Sequence, residues 1–156
     1  MPTFRIVGLD ALPLPLEEFL LQAAAVLGEE LRLEVAEEGI SELETLSPVK
    51  TGKYRASHTP AVGEVVTRRL PNLPAYPIDG IARVQEALAG APPSSVVYIA
   101  NAVESKEGAG SYADILERGK SRMAPGGIYG PAVPALQARR ATIVANAIAR
   151  TRARLG

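Results

Sequence analysis

Apolar residues at Leu16, Leu20, Ala23/Ala24, Leu27, Leu31 and Val35 recur about every 3.6 residues, a period that only an α-helix presents on one face. Pro15 suits the first turn of that helix, and Glu17 and Glu18 suit the positive end of its dipole. Gly39 is placed to close it or to mark a break before Leu43. Gly28 inside it costs about 1 kcal/mol relative to alanine, a cost that a close packing neighbour would justify. A chain that commits about twenty-five residues to one amphipathic helix must bury that stripe against something, and the rest of the sequence has to supply the cover.

The helix ends in Ser47-Pro48-Val49-Lys50-Thr51-Gly52, where proline disfavours helix in the residue before it and glycine admits a positive φ. The period then changes. Tyr54, Ala56 and His58 alternate with Arg55, Ser57 and Thr59, which predicts a strand. A second strand is predicted over 62–68, separated from the first by a turn or bulge around Pro60 and Gly63. Prolines flank an insertion at about 70–93, and the segment inside it, Ile78 to Leu88, reads as a short helix with Ile81, Val84 and Leu88 on one face.

Ser95-Val96-Val97-Tyr98-Ile99-Ala100 is the strongest strand signal and is expected at the centre of the sheet. Glu104 to Ser111 and Met123 to Gly130 read as flexible, projecting loops that become ordered on docking. A second long helix is predicted from Pro131 or Pro134 to the last residues. The expected architecture is a single α+β domain over 1–156, with a small, mainly antiparallel sheet packed by long amino-terminal and carboxy-terminal helices.

Composition removes much chemistry. The chain has no cysteine, which excludes disulfides, thiolate metal sites and cysteine nucleophiles. Its single histidine, His58, leaves too few ligands for an ordinary zinc site, so no metal or cofactor is expected. His58 lies in a strand pattern and no Gly-x-Ser-x-Gly elbow occurs, so it is expected to pack or hydrogen-bond locally rather than to serve a hydrolase. Asp114-Ile115-Leu116-Glu117-Arg118-Gly119-Lys120-Ser121 ends like a phosphate-binding loop, but Asp114 stands where that loop requires glycine. The chain is not expected to be an enzyme. A small hydrolase would need a pocket with perturbed carboxylates around His58 or Tyr112.

Charge is balanced overall, with 17 basic and 17 acidic residues, but unevenly distributed. Nine glutamates face one arginine between Leu16 and Glu44, while five arginines and no acid lie between Val133 and Gly156. Two readings stay open: solvated faces of two separate helices, or a charge match between subunits. Arg139, Arg140, Arg150, Arg152 and Arg154 also support an alternative function as a basic-helix nucleic-acid-binding module, although no aromatic stacking platform accompanies them. No leader peptide and no membrane-length apolar run is visible, which predicts a soluble protein made in the cytoplasm with no membrane partner.

Several segments, in order, carry a resemblance. Ser47-Pro48-Val49-Lys50-Thr51-Gly52-Lys53-Tyr54-Arg55-Ala56-Ser57 resembles the Pro-Val-x-Thr-Gly-x-Leu-Arg-x-Ser segment of the head–tail joining proteins of long-tailed bacteriophages, a family also described as neck, tail-completion or minor tail protein Z-like. Val97-Tyr98-Ile99-Ala100-Asn101 resembles its main strand, and Tyr112-Ala113 with Glu117-Arg118-Gly119-Lys120-Ser121 its Tyr-Ala-x-x-x-Glu-x-Gly-x-Ser segment. Gly130-Pro131-Ala132 precedes the last helix as the family's Pro-Ala does. The insertion at about 70–93 is longer than the family pattern, and Ile128-Tyr129 replaces its Phe-aliphatic pair.

The resemblance implies a structural virion protein of the neck, assembled in the host cytoplasm as a homo-oligomeric, sixfold ring. Its partners would be head-completion or portal-proximal proteins on one side and tail-tube or tail-terminator proteins on the other, with DNA only as passing cargo. Arg55, Glu117, Arg118, Arg150, Arg152 and Arg154 are the candidate subunit or partner contacts.

Overall fold

The computed structural model describes residues 16–48, 53–66, 79–101 and 112–156. Helix α1 runs from Leu16 to Leu46 with Glu17 and Glu18 in its first turn. It passes through Gly39 without a break. A Cβ at Gly39 would stand 3.4 Å from the Ile99 Cδ1 methyl, an ordinary contact distance, so β2 packs closely over α1 at this point. The helix stops at Ser47-Pro48, where Ser47 Oγ donates to the Leu43 carbonyl at 2.5 Å. Thr51 and Gly52 lie outside the described residues.

The predicted alternation from Tyr54 resolves differently. Lys53–Ala56 form one helical turn, α2, and the strand begins only at His58. β1, His58–Val62, pairs antiparallel with β2, Val97–Asn101, matching His58 to Asn101, Pro60 to Ile99 and Val62 to Val97. A single strand therefore runs through Pro60, where a turn between two strands was expected. Gly63 donates to the Val96 carbonyl at 3.0 Å, and the two-residue alternation from there leaves Pro60 between hydrogen-bonding positions, its donorless nitrogen turned away from β2. The sheet among the described residues has two strands, so β2 has no central position to occupy.

Helix α3, Gly80–Leu88, is capped by Asp79, whose carboxylate accepts from the Ala82 amide at 2.9 Å. The Pro-flanked insertion was expected to project, but its helix does not. Val84 and Leu88 pack with Ala36 and Ile40 of α1 in one of two core clusters. Insertion residues 67–78 and the predicted loop 104–111 lie outside the described residues.

The second cluster joins Leu43, Tyr54, Leu116, Ala124, Ile128 and Ala132, and Ile99 of β2 packs against both. Leu116 comes from the short helix α4, Tyr112–Glu117. Ala124 and Ile128 belong to the segment expected to be a flexible projection, yet both are buried, and Gly119 and Gly127 turn the chain at φ +65° and +80°. The final helix is two helices, α5 (Tyr129–Ala138) and α6 (Arg140–Leu155), separated at Arg139 with φ −91° and ψ 3°. The α+β class holds, with α1, α3, α5 and α6 supplying most of the packing around a two-stranded ribbon.

Candidate interaction surface

The face that α1 buries is not its apolar stripe. The buried residues of α1 are Glu30, Glu34, Ala36, Glu37, Gly39, Ile40 and Leu43, whereas Leu16, Leu20, Leu27 and Val35 stay 43%, 56%, 36% and 45% exposed. The cause lies on α6. Arg154 donates to Glu29 at 3.0 Å and Glu30 at 2.7 Å, and Arg150 pairs with Glu34 at 3.0 Å and Glu37 at 2.7 Å. Asn146 Nδ2 donates to Glu34 at 2.6 Å, and Arg139 pairs with Glu38 at 2.8 Å and with Glu42. Hydrogen bonding to Glu37 raises the Arg150 pKa above its ordinary value, and bonds to Glu30 and Glu29 do the same for Arg154. The opposite charges of the two long helices meet within one chain, so reversing Arg150 and Arg154 perturbs this fold directly.

With its acids turned to α6, α1 leaves an apolar groove open on another side. The groove encloses about 510 Å³ between α1 (Leu31, Val35, Ala36), β2 (Val97, Ile99) and α5 (Tyr129, Ala132, Val133, Leu136). Gly28 also lines it, and a Cβ added there meets nothing within 4 Å among the described residues, so none of them accounts for this glycine. Gly28→Ala is expected to stabilise the isolated chain by about 1 kcal/mol through helix propensity alone, seen as a raised urea midpoint at unchanged slope.

The α5 wall is held in place by Glu117. Its carboxylate accepts from the Ile128 amide at 3.0 Å and the Tyr129 amide at 3.1 Å, capping the helix from a separate element. A Cβ on Gly127 would come within 2.9 Å of the same carboxylate, and one on Gly119 within 2.5 Å of the Pro125 carbonyl. Glu117→Ala should therefore destabilise by about 1–2 kcal/mol, and Glu117→Gln should recover part of the loss in chemical denaturation, since its amide oxygen still accepts.

The remaining predicted contacts do not converge. Arg55 sits on α2 and reaches the Ser47 carbonyl at 3.4 Å, Arg118 is exposed beside Glu117, and Arg152 is exposed in the last turn of α6. Arg150, Arg152 and Arg154 share α6, but Arg55 and the Glu117–Arg118 pair belong to other elements.

His58 is 1% exposed at the centre of a polar network that no sequence spacing announces. Ser47 Oγ lies 2.7 Å from Nε2, Tyr129 Oη 3.1 Å from Nδ1, and Asn101 Nδ2, 3.5 Å away, donates to the Tyr54 carbonyl at 2.8 Å. Because the Ser47 proton goes to Leu43, Nε2 must be the protonated nitrogen that donates to Ser47, and Nδ1 then accepts from Tyr129. Burial lowers the His58 pKa to about 4, with Arg83 and Arg55 adding repulsion. Arg83 donates to the Ala56 and His58 carbonyls at 3.1 and 2.9 Å. A serine whose proton is committed to a carbonyl and a histidine with no carboxylate partner among the described residues do not form a nucleophilic pair. The ring fastens the end of α1 to β1 and α5.

Among the described residues, no helix is long and apolar enough to cross a membrane, and no group of His, Asp and Glu is arranged to hold a metal ion. No family model, curated protein or solved structure matches the chain.

Proposed function

We propose that the chain is a non-enzymatic structural protein of the head–tail neck of a long-tailed bacteriophage or related particle, closing into a ring between the head connector and the tail tube. The observation that supports this reading is the outward apolar face of α1 together with the open α1–β2–α5 groove, surfaces of the kind that assembling proteins cover with a partner. The ordered Pro-Val, Tyr-Ala and Pro-Ala segments supply the choice of assembly. The nucleic-acid alternative draws on five arginines, of which Arg139, Arg150 and Arg154 already hold glutamates of α1, which leaves Arg140 and Arg152 to meet phosphate. DNA is then cargo in the ring's channel.

Negative-stain imaging of the purified protein, alone and mixed with tail tubes, is the direct test. Rings, and rings seated on tube ends, are the expected result. A protein that stays monomeric at every concentration and leaves tubes bare would defeat the proposal, and a salt-dependent shift of duplex DNA by the monomer would promote the alternative.

A further inference from the structure

The two edges of the β1–β2 ribbon are built differently. On the outer edge of β1, Pro60 supplies no N–H and Arg83 covers the His58 carbonyl at 2.9 Å. The outer edge of β2 is open. Gly63 bonds to Val96 across the ladder, so bonding pairs recur at Ala61–Tyr98 and Thr59–Ala100, and the N–H and C=O groups of Val97 and Ile99 turn outward. None of these four groups has a hydrogen-bond partner among the described residues. Val97–Asn101 contains no charge and no proline, and its pairing with β1 has no bulge, so the devices that blunt an edge are missing. We infer that residues 3–7 of one copy, Thr3-Phe4-Arg5-Ile6-Val7, add as an antiparallel third strand to the outer edge of β2 in a second copy. This contact deepens the ring reading proposed above and rests on it for closure, but not for where in a virion the ring sits.

An open ladder is completed only by extended backbone, which fixes the kind of occupant before its sequence is considered. Four stretches of the chain lie outside the described residues: 1–15, 49–52, 67–78 and 102–111. The second is too short for a strand. The third carries Pro71, Pro74 and Pro77, each without a donor, and the fourth is polar and glycine-containing from Glu104 to Ser111. In the first, Thr3-Phe4-Arg5-Ile6-Val7 is β-branched and aromatic, with Arg5 between Phe4 and Ile6 in the two-residue alternation of a strand that buries one face.

The pleat of β2 sets the register. Val97 and Ile99 turn their side chains toward α1, where both pack against the Ala36–Ile40 cluster. The groove beside them takes lining from α1, β2 and α5 but none from β1, so it runs along the open edge. Opposed residues of paired strands share a face. Phe4 opposite Ile99 and Ile6 opposite Val97 therefore enter the groove and form the bonding pairs, while Arg5 stands opposite Tyr98 on the outer face.

Reach favours a second copy as the source. Arg32 reaches the Ser95 carbonyl and Ile99 lies over Gly39, so β2 runs alongside α1 and Val97 sits near the level of Val35. From Leu16 that level is about 28 Å along the helix, and a strand lying on the helix is about 10 Å aside, a straight run of about 30 Å. The ten residue steps from Ile6 to Leu16 cover at most about 33–36 Å. Only about one residue is left for reversing out of the helix, in a linker that holds Pro13 and Pro15. A hinge under such tension favours exchange between copies. None of residues 16–29 is buried, so α1 carries the segment clear of its own core and toward a neighbour. The strand and the edge that accepts it are different surfaces of one chain, so the contact repeats from copy to copy, the condition for a ring.

Proline separates the two kinds of position on the added strand. The Ile6 N–H faces β2 and the Arg5 N–H faces away. In the full-length protein, with circular dichroism unchanged, Ile6→Pro should weaken self-association about tenfold or more by sedimentation velocity, and Arg5→Pro should leave it within about twofold of the parent. The chain has no cysteine, so an introduced bridge has one meaning. Full-length Arg5→Cys mixed with full-length Tyr98→Cys under mild oxidation should give a mixed disulfide about tenfold more abundant than Arg5→Cys mixed with Ala149→Cys, because a pair at that position holds its Cα atoms about 4.5 Å apart.

Equal effects of the two prolines, no excess of mixed disulfide, or a parent protein that stays monomeric overturns the exchange. A chain carrying both Arg5→Cys and Tyr98→Cys that bridges within a monomer also overturns it, because the occupant is then the chain's own strand. Rings that form equally well with Ile6→Pro would sink this contact and leave the neck reading standing. The intermolecular bridge together with failure to engage tail tubes would do the reverse.

Discussion

Arg150→Glu is expected to unfold the chain about 6–12 °C earlier than the parent sequence. Arg150 is the cation that Glu34 and Glu37 share, and those side chains are only 5% and 7% exposed. Removing the partner of a buried ion pair costs about 3–5 kcal/mol, because the remaining charge keeps its desolvation penalty. Arg150 itself is 41% exposed and retains part of its hydration, which places the loss near the lower end, about 3 kcal/mol. For a chain of this length each kcal/mol shifts the midpoint by about 2–4 °C. Reversal adds a third acid beside two buried ones, so Arg150→Met should cost less than Arg150→Glu in differential scanning calorimetry. Equal midpoints for all three proteins would show that the seam contributes nothing to stability.

Acid should weaken the fold through His58, and the sign follows from the direction of its shift. The folded-state pKa is about 4, below the ordinary 6.5, so between these values the unfolded chain binds a proton that the folded chain refuses. Stability is then fully present above pH 6.5 and falls as pH drops toward 4, by about 3 kcal/mol for this depth of shift. The proton would have to enter at Nδ1, where Tyr129 donates, under repulsion from Arg83 and Arg55. His58→Gln, which cannot titrate, should lose stability at neutral pH but show a flatter profile between pH 6.5 and 4 in urea unfolding. An unchanged slope in that variant would assign the acid sensitivity to the carboxylates instead.

Much of the fold is legible in local sequence, and the points where the reading fails share a cause. The 3.6-residue period of α1, the Asp79-capped helix and the β-branched run at Val97 are local signals, and local rules place them. Which side of α1 turns inward is not local, because Glu30, Glu34 and Glu37 can be buried only where arginines from more than a hundred residues away reach them. The break at Arg139 falls among Ala138, Arg139, Arg140 and Ala141, all good helix formers, with no glycine or proline to mark it. Three alternating residues from Tyr54 were too few to separate a strand from a helical turn, and Pro60 looked like a stop because sequence does not reveal which way its nitrogen faces.

The candidate site was legible only in its parts. The outward stripe and Gly28 stand in the sequence, but the groove takes walls from α1, β2 and α5, and Ser47, His58, Asn101 and Tyr129 meet without any common spacing. Glu117 could be marked as charged and near a turn, yet its work as a cap depends on a helix that begins twelve residues later.

The seam between α1 and α6 also sets an order in time. Its hydrogen bonds join residues 97 to 125 positions apart, so α1 leaves the ribosome with its acids in water and stays so until residues 140–155 have been synthesised. During that interval Ala36 and Ile40 already have α3 to pack against, whereas Glu30, Glu34 and Glu37 have no arginine partner on α6. Synthesis of α6 thus supplies the cations without which the acids of α1 cannot be buried.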